Sequence, residues 1–251
     1  MCSSDPDRRP RPLPVELLAL WERAGAQSLL GQGLLLLTAW LRQPVEEIAR
    51  LTIGQRDFAL LNLRAALFGP EMAGLTACPA CKEEVEVRVN ADELASVPWN
   101  EGGEPFMVVR DGYEASFRLP TSRDLAALPA DAEPRSNRQR LLESCLLGVR
   151  RAGVEIPSQQ LTETLILSIT DRMAEADPLA DIQLRAQCPK CHHRWEVPLD
   201  IVSFLWSEIS AWAQRSLTEV HLLASAYGWS EHDILGLSPA RRQFYLKLVN
   251  G

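Results

Sequence analysis

The sequence of 251 residues contains none of the local motifs that identify the common hydrolases and nucleotide-binding enzymes. It has no Gly-x-Ser-x-Gly nucleophile elbow, no His-Glu-x-x-His zinc-protease motif and no phosphate-binding P-loop. Histidine, the commonest general base, occurs only four times. His221 and His232 have no evident partner in the sequence, and the other two histidines directly follow a pair of cysteines. We therefore expect that the protein is not an enzyme and has no catalytic residues.

Segments typical of secretion or of a membrane span are also missing. Residues 1–14 contain three arginines and four prolines but no apolar core, which predicts a disordered N-terminal tail instead of a signal sequence. Residues 24–41 carry no charge and include Leu34–Leu37, but a bilayer span needs about 20 predominantly apolar residues. The stretch also contains glutamines, a serine and glycines. We expect no stable membrane span and a location in a reducing cytoplasm.

The charge balance of the chain disfavours binding to nucleic acid. The sequence has 33 acidic and 26 basic residues, which gives a net charge of −7. Non-specific affinity for nucleic acid comes from cations that neutralise phosphates. Residues 222–234 resemble a helix-turn-helix, but the second helix would begin with Ser230-Glu231-His232-Asp233 and direct two acids at the DNA. We expect no nucleic-acid partner, and a zinc-ribbon nucleic-acid-binding or transcription-associated protein is the main alternative function.

Four of the six cysteines form two widely separated Cys-Pro-x-Cys motifs, which we call the first knuckle (Cys78–Cys81) and the second knuckle (Cys188–Cys191). Each knuckle precedes an alternating, strand-like run, at 84–89 and 194–199. Two residues between cysteines allow one turn to present both sulfurs to one metal ion. A tetrahedral zinc ion needs four ligands, so the pattern predicts one structural zinc per chain, held by Cys78, Cys81, Cys188 and Cys191.

Other chemistry is compatible with the same cysteines. A thiol oxidoreductase would need a thiolate activated at a helix N-terminus, and neither knuckle precedes a good helical pattern. Disulfides would require an oxidising compartment. His192 or His193 could replace one sulfur as a ligand. Cys145 lies in an apolar run and is expected to be a buried core residue.

Hydrophobic periodicity predicts a mainly α (α+β) protein, with a small β and zinc-ribbon module assembled from the two distant knuckles. Asp111-Gly112 between two strand-like runs predicts a β-hairpin. Helices are expected at 15–26, 29–41, 45–48, 53–68, 124–128, 138–151, 159–174 and 199–227, followed by two short helices. Ser158 is the expected cap of the helix at 159–174, and 99–104 is a glycine-rich connector.

We expect one integrated domain from 15 to 251. Its predicted parts are the disordered tail (1–14), an N-terminal helical segment (15–70), the first knuckle with a β-hairpin (71–120), a helical insertion (121–181), and the second knuckle with the C-terminal helices (182–251). The helix at 29–41 is apolar on nearly every side, so it is either a central core helix or a surface that binds a partner.

Four stretches, taken in their order and spacing, resemble the T4-like phage baseplate hub assembly protein family, which also occurs in phage-tail-like contractile injection systems. They are Gly54-Gln55-Arg56-Asp57 through 67–70, Phe117-Arg118-Leu119-Pro120-Thr121-Ser122-Arg123-Asp124-Leu125, the second knuckle with His192-His193-Arg194-Trp195 continuing to 204–206, and 219–221 through 226–229 to 238–242.

This resemblance implies a non-enzymatic assembly factor or structural component of the baseplate hub. The implied partners are baseplate hub, spike or tube proteins of a contractile system. The implied location is the cytoplasm of the producing bacterium or the assembled particle. The resemblance also implies that the four knuckle cysteines are the metal site. A thiol oxidoreductase remains a second, weaker alternative.

Overall fold

A computed structural model describes residues 12–97, 105–157 and 160–250. The chain folds into two compact units. The terminal unit combines Met1–Leu41 with Val202–Gly251, and the central unit comprises Arg42–Ile201. Helices account for 56 % of the structure and the sheets are small, which confirms the predicted mainly α (α+β) class. The predicted division into five segments, and their integration into one domain, stay predictions.

The terminal unit is built from helices. They are α1 (Pro14–Ala24), α2 (Leu29–Leu41), α9 (Ile201–Tyr227, of which Val202 onward belongs to this unit), α10 (Glu231–Gly236) and α11 (Pro239–Asn250). Leu18 of α1 packs with Ala213 of α9 and Leu235 of α10, and the Trp21 indole N–H donates to Ser210 Oγ at 3.2 Å. Within the described residues, no helix is long and apolar enough to cross a membrane.

Helix α2 buries one side and leaves the other partly accessible. Leu36 and Leu37 are almost completely buried, whereas Leu29 at the start of the helix is exposed. The buried pair supports the interpretation of α2 as a core helix. A role of α2 in binding a partner stays a prediction.

The central unit contains the other elements. They are α3 (Val45–Ile48), α4 (Ile53–Phe68), β1 (Glu71–Ala77), β2 (Glu84–Asn90), α5 (Ala91–Ala95), β3 (Phe106–Arg110), β4 (Tyr113–Phe117), α6 (Ser122–Ala126), α7 (Pro134–Cys145), β5 (Leu146–Arg151), β6 (Val154–Glu155), α8 (Glu163–Ala176), a 3-10 turn (Pro178–Ala180), β7 (Gln183–Gln187) and β8 (Arg194–Pro198). Strands β1–β2 and β7–β8 are separate antiparallel hairpins, and the other strands form one sheet in the order β3-β4-β5-β6.

Helix α4 begins with a capping box and a close contact to a distant loop. Thr52 Oγ1 accepts the Gln55 backbone N–H, and the Gln55 side chain accepts the Thr52 N–H. The Gly54 N–H donates to Asp177 Oδ2 at 3.0 Å. A Cβ at position 54 would overlap the Asp177 carboxylate, so only glycine permits this approach. The contact ties the start of α4 to the end of α8.

The four-stranded sheet contains the predicted hairpin. Asp111 and Gly112 both have positive φ, 52° and 76°, as the tight turn between β3 and β4 requires. Alternate residues of β4 and Val149 of β5 pack against the α8 residues Leu165 and Ile169. The sheet and α8 therefore form one layered core.

The structure corrects the predicted helix at 138–151. Helix α7 begins earlier, with Pro134 in its first turn, and ends at Cys145, and the following residues form β5. Residues 146–149 are a short apolar run, which periodicity alone does not assign to helix or strand. Pairing with β4 decides the outcome, because it buries Val149 in the sheet core.

The start of α8 also differs from the prediction. The helix begins at Glu163, and Thr162 Oγ1 caps it by accepting the Leu165 N–H. The predicted cap, Ser158, and the predicted connector at 99–104 lie outside the described residues, as does most of the predicted N-terminal tail.

Candidate metal centre

Each knuckle occupies the turn of a two-stranded hairpin and repeats the same backbone hydrogen bond. The Cys78 N–H donates to the Glu83 carbonyl at 2.8 Å between β1 and β2, and the Cys188 N–H donates to the His193 carbonyl at 2.9 Å between β7 and β8. The strands predicted after each knuckle are present as β2 and β8. Sequence reasoning missed β1, because Ala73 and Gly74 weaken its strand-like pattern.

A left-handed residue closes each turn. Lys82 and His192 have φ values of 63° and 58°, and their N–H groups donate to the carbonyls of Cys78 and Cys188 at 2.9 and 3.0 Å. The turn directs both sulfurs of each knuckle to the same side. The two knuckles are therefore local copies of each other, although more than 100 residues separate them.

The fold brings the four cysteine sulfurs together. All four Sγ atoms lie within 4.8 Å of one another. Cys78 Sγ lies 3.6 Å from Cys191 Sγ, and Cys81 Sγ lies 3.5 Å from Cys188 Sγ. A tetrahedral zinc ion with Zn–S bonds of about 2.3 Å places neighbouring sulfurs about 3.8 Å apart. The four thiols therefore have the spacing that a single tetrahedral cation needs, and they are too far apart to be disulfides, in which the sulfurs are about 2.05 Å apart.

Two thiols of the second knuckle, those of Cys188 and Cys191, have pKa values displaced in opposite directions. Burial opposes ionisation of Cys188, but backbone N–H groups of Cys191 and Lys190 lower its pKa to about 7. The His193 N–H favours the Cys191 thiolate, yet hydrogen bonding to Cys81 and burial raise the pKa of Cys191 to about 12. One member of the cluster therefore ionises readily at the expense of another. A bound cation would displace the remaining protons.

The surroundings of the cluster form a small mixed shell. Val85 and Trp195 pack against the cysteines, and the His193 ring stacks on Trp195 with 6.0 Å between ring centroids. Lys190 Nζ lies 2.9 Å from Glu83 Oε2 and joins the second knuckle to the first across the surface. Sequence reasoning missed this ion pair, because no local pattern links residues that are 107 positions apart.

The cluster is protected on one side and accessible on the other. Cys78 and Cys188 are completely buried, Cys81 is half-buried and Cys191 is exposed. Among the described residues, the group of potential metal ligands contains the four cysteines and neither histidine of the second knuckle. A site of four sulfurs leaves a tetrahedral ion no open position for a substrate. This donor set fits structural chemistry better than catalysis.

Two further motifs noted in the sequence form structural ion pairs. The two terminal guanidinium nitrogens of Arg118, Nη1 and Nη2, donate to the two carboxylate oxygens of Asp124, each at 2.7 Å. Burial opposes ionisation of Asp124, but the bonds from Arg118 and Thr121 lower its pKa to about 2. Arg118 also donates to the Ser144 carbonyl, which fixes the end of α7. The motif thus holds secondary-structure elements together and lies outside the cysteine cluster.

The Gly54-Gln55-Arg56-Asp57 motif is likewise internal. Arg56 Nε lies 2.7 Å from Asp57 Oδ1, and both side chains are buried. Burial raises the pKa of Asp57 to about 6, although the Arg56 hydrogen bond acts in the opposite direction. Burial also raises the pKa of Asp177, which contacts Gly54.

Comparison with known proteins identifies one related family. The sequence model of the family described as "T4 bacteriophage base plate protein" matches residues 36–206. The matched region includes both knuckles, the buried Arg56–Asp57 pair and the partly exposed Arg118–Asp124 pair. No curated protein and no solved structure matches the chain.

Proposed function

The chain belongs to the family of T4 bacteriophage base plate proteins, and from this premise we propose that it is a non-enzymatic assembly factor or structural component of the baseplate hub of a contractile phage tail or phage-tail-like injection system. Its partners in this proposal are hub, spike or tube proteins of the same particle. It acts in the cytoplasm of the producing bacterium, and as a structural component it would enter the particle.

The observation that supports this function is the family match, which extends over more than half of the chain. The knuckles lie inside the matched region, so the metal centre and the baseplate role concern the same part of the protein. The closed set of four sulfurs is consistent with a protein that holds a surface in place and performs no reaction.

We further propose that the bound metal is one structural zinc ion, held by Cys78, Cys81, Cys188 and Cys191. Isolated two-stranded hairpins are only marginally stable in water, and each knuckle stands on such a hairpin. The apolar shell around the sulfurs is small, so packing alone provides little support. Zinc would cross-link the two hairpins and hold residues 82–187 as a closed loop.

Deletion of the gene in a strain that produces the contractile particle tests the baseplate role. We expect electron micrographs of the mutant lysate to lack complete particles with a baseplate, and a plasmid copy to restore them. Quantitative mass spectrometry of purified particles then separates the two forms of the proposal. A fixed copy number per particle identifies a structural component, whereas a required protein that is absent from particles identifies an assembly factor.

A matched pair of cysteine variants provides the control for this experiment. Cys188→Ser should fail to restore particles because it removes a sulfur of the cluster, whereas Cys145→Ser replaces a buried cysteine outside the cluster and should restore them. Normal particles in the deletion strain, in number and activity, would refute the baseplate function.

A further inference from the structure

Helix α11 is fixed to the terminal unit by its inner side. Leu246 packs with Leu223 of α9 and Ile234 of α10. The buried Arg242 donates from Nε to Glu219 Oε2 at 2.8 Å and from Nη1 to the Leu237 carbonyl at 2.9 Å. These contacts fix the rotation of α11 about its own axis, and so they determine which residues point outward.

The outward side of α11 presents two large apolar residues. Phe244 and Leu248 are each 60 % exposed and lie one helical turn apart, on the same face. Within the described residues, no element covers either side chain. Isolated exposed apolar residues are common on protein surfaces, so this pair alone indicates nothing about a partner.

Phe244 lies at the margin of an aromatic cluster. The rings of Phe244 and Tyr245 are arranged edge to face, with 5.7 Å between ring centroids, and Tyr245 contacts Trp229 and Tyr227 at 4.9 and 5.9 Å. Tyr227 and Trp229 stack on each other at 4.7 Å, on either side of Gly228, which ends α9 with a φ of 69°. A rigid aromatic side chain loses little conformational freedom on binding, which favours its use as an interface anchor.

Basic residues flank the apolar pair on both sides. On a helix with 100° per residue, Arg241 and Lys247 lie about 60° to either side of Phe244. Both are exposed, and neither forms an ion pair with any described carboxylate, in contrast to Arg242. Helix α11 contains no acidic residue, although the chain as a whole has a net charge of −7. The local charge thus opposes the overall charge at the place where the apolar residues are exposed.

We propose that the outward face of α11, formed by Phe244, Leu248, Arg241 and Lys247, binds another protein of the same baseplate through an apolar groove rimmed by carboxylates. The placement of the partner in the baseplate rests on the proposed function. In this mode a helix lies in a groove of the partner, and the two apolar residues one turn apart fill the groove. The cation on each side of them would favour a groove with carboxylates at its rim.

The composition of the face favours a protein over the other anionic partners. Nucleic acid would need several phosphate contacts, and only Arg241 and Lys247 are available, with apolar side chains between them. Stable helix binding at an anionic membrane surface requires a large apolar face. The outward face of α11 offers two exposed apolar residues, Phe244 and Leu248, which is too small an area for such binding. A second copy of this chain has a net negative charge, but in a symmetric dimer formed through this face it would present the same basic face. The cations of the two copies would then repel each other.

Site-specific photo-crosslinking tests this surface in the full chain. A p-benzoyl-phenylalanine, which keeps the phenyl ring of Phe244 and extends it by a benzoyl group, replaces Phe244 in the particle-producing strain, and a second strain carries the same photoreactive residue at Met107. Met107 is similarly exposed but lies in the central unit. We expect position 244 to crosslink to a hub, spike or tube protein, at a segment with apolar residues and at least two carboxylates.

Charge reversal identifies the role of the rim. Arg241→Glu with Lys247→Glu should lower the crosslink yield about ten-fold or more, since like charges would then face each other, and reversal of the partner's carboxylates to lysine should restore it. With the purified partner, Phe244→Ala should weaken binding about thirty-fold, the effect typical of a central interface residue. Circular dichroism of each variant should match that of the unmodified protein, because these side chains are exposed.

Several results would overturn the proposal. They are a crosslink yield at 244 no higher than at 107, a yield unchanged by charge reversal, and products formed only with lipid, nucleic acid or a second copy of the chain. These outcomes are distinct from failure of the proposed function. If gene deletion abolishes particles and position 244 captures nothing, the surface is refuted and the baseplate role stands. If the face captures an acidic protein from outside the particle, its placement in the baseplate is refuted.

Discussion

Loss of one buried sulfur should remove both the metal and a large part of the stability of the central unit. Cys188 is completely buried in the cluster, so Cys188→Ser leaves three sulfurs and a poor fourth ligand. We expect elemental mass spectrometry to find about one zinc per chain in the unmodified protein and much less in the variant. Metal binding to a folded site is coupled to folding, so the loss of zinc should appear in the unfolding curve.

The length of the loop that the metal closes provides a scale for the expected loss of stability. Cys81 and Cys188 are 107 positions apart. A covalent cross-link that closes a loop of this length restricts the unfolded chain by about 5 kcal/mol in the chain-entropy treatment. A metal cross-link that exists only in the folded state stabilises the protein through its binding energy. The figure of about 5 kcal/mol is therefore a scale for the loss of the free energy of unfolding. It equals a large fraction of the roughly 5–15 kcal/mol that holds a typical domain folded.

Urea unfolding followed by circular dichroism provides the assay. We expect Cys188→Ser to lower the free energy of unfolding by up to about 5 kcal/mol. Titration of the unmodified protein with a chelator should produce the same loss, which covers the case in which the variant does not fold. Cys145→Ser is the control, because Cys145 is buried but is not a member of the cluster, and the variant should retain about one zinc per chain. The reasoning fails if the purified protein contains no metal, or if Cys188→Ser and chelation leave the unfolding midpoint unchanged.

Three further predictions concern side-chain contacts of the central unit. Gly54→Ala should destabilise the protein by about 2 kcal/mol or more in urea unfolding, since the new methyl group overlaps Asp177. Asp57→Asn should remove a pH dependence of the free energy of unfolding. The pKa of Asp57 is raised from 3.8 to about 6, so its contribution to stability is complete below about pH 4 and is lost as the pH rises through 6, a change of up to about 3 kcal/mol. Arg118→Lys should cost about 1–2 kcal/mol in thermal or urea unfolding, because lysine cannot form the two parallel bonds to the carboxylate.

Each of these predictions has a matched control in the chain. Gly236→Ala also adds a methyl group to a helix, but beyond its chain neighbours and the backbone of its own helix nothing lies within 4 Å of the new position, so stability should be unchanged or slightly higher. Glu114→Gln removes an exposed carboxylate and should leave the pH profile intact. Arg88→Lys changes an exposed ion pair and should have little effect. Equal effects for a variant and its control would contradict the corresponding prediction.

Local sequence patterns predicted those parts of the fold that short-range chemistry determines. Asp111-Gly112 indicated its hairpin because a tight turn needs two residues that tolerate positive φ. The Cys-Pro-x-Cys spacing indicated the knuckle turns, and the pairing of two such motifs indicated that the four sulfurs would meet. In both cases a few neighbouring residues contain the necessary information.

The features that sequence reasoning missed depend on distant partners. Residues 146–149 are an apolar run compatible with helix or strand, and pairing with β4 makes residues 146–151 a strand. The sequence around Gly54 does not indicate that the absence of a side chain there makes room for Asp177. The bond between Lys190 and Glu83 joins two turns that only the folded chain brings together. Tertiary contacts override local propensity at such positions, and a single sequence does not encode these contacts in any local pattern.

The distance along the chain between the two knuckles also determines when the metal ligands become available during translation. A ribosome adds about 5–20 residues per second, so Cys188 emerges roughly 5–20 s after Cys81. During this interval the first knuckle offers a cation only two of its four sulfurs. A complete set of ligands therefore exists only in chains whose translation has passed the second knuckle. Metal binding by the complete cluster would therefore follow the synthesis of all but the last ten residues of the central unit.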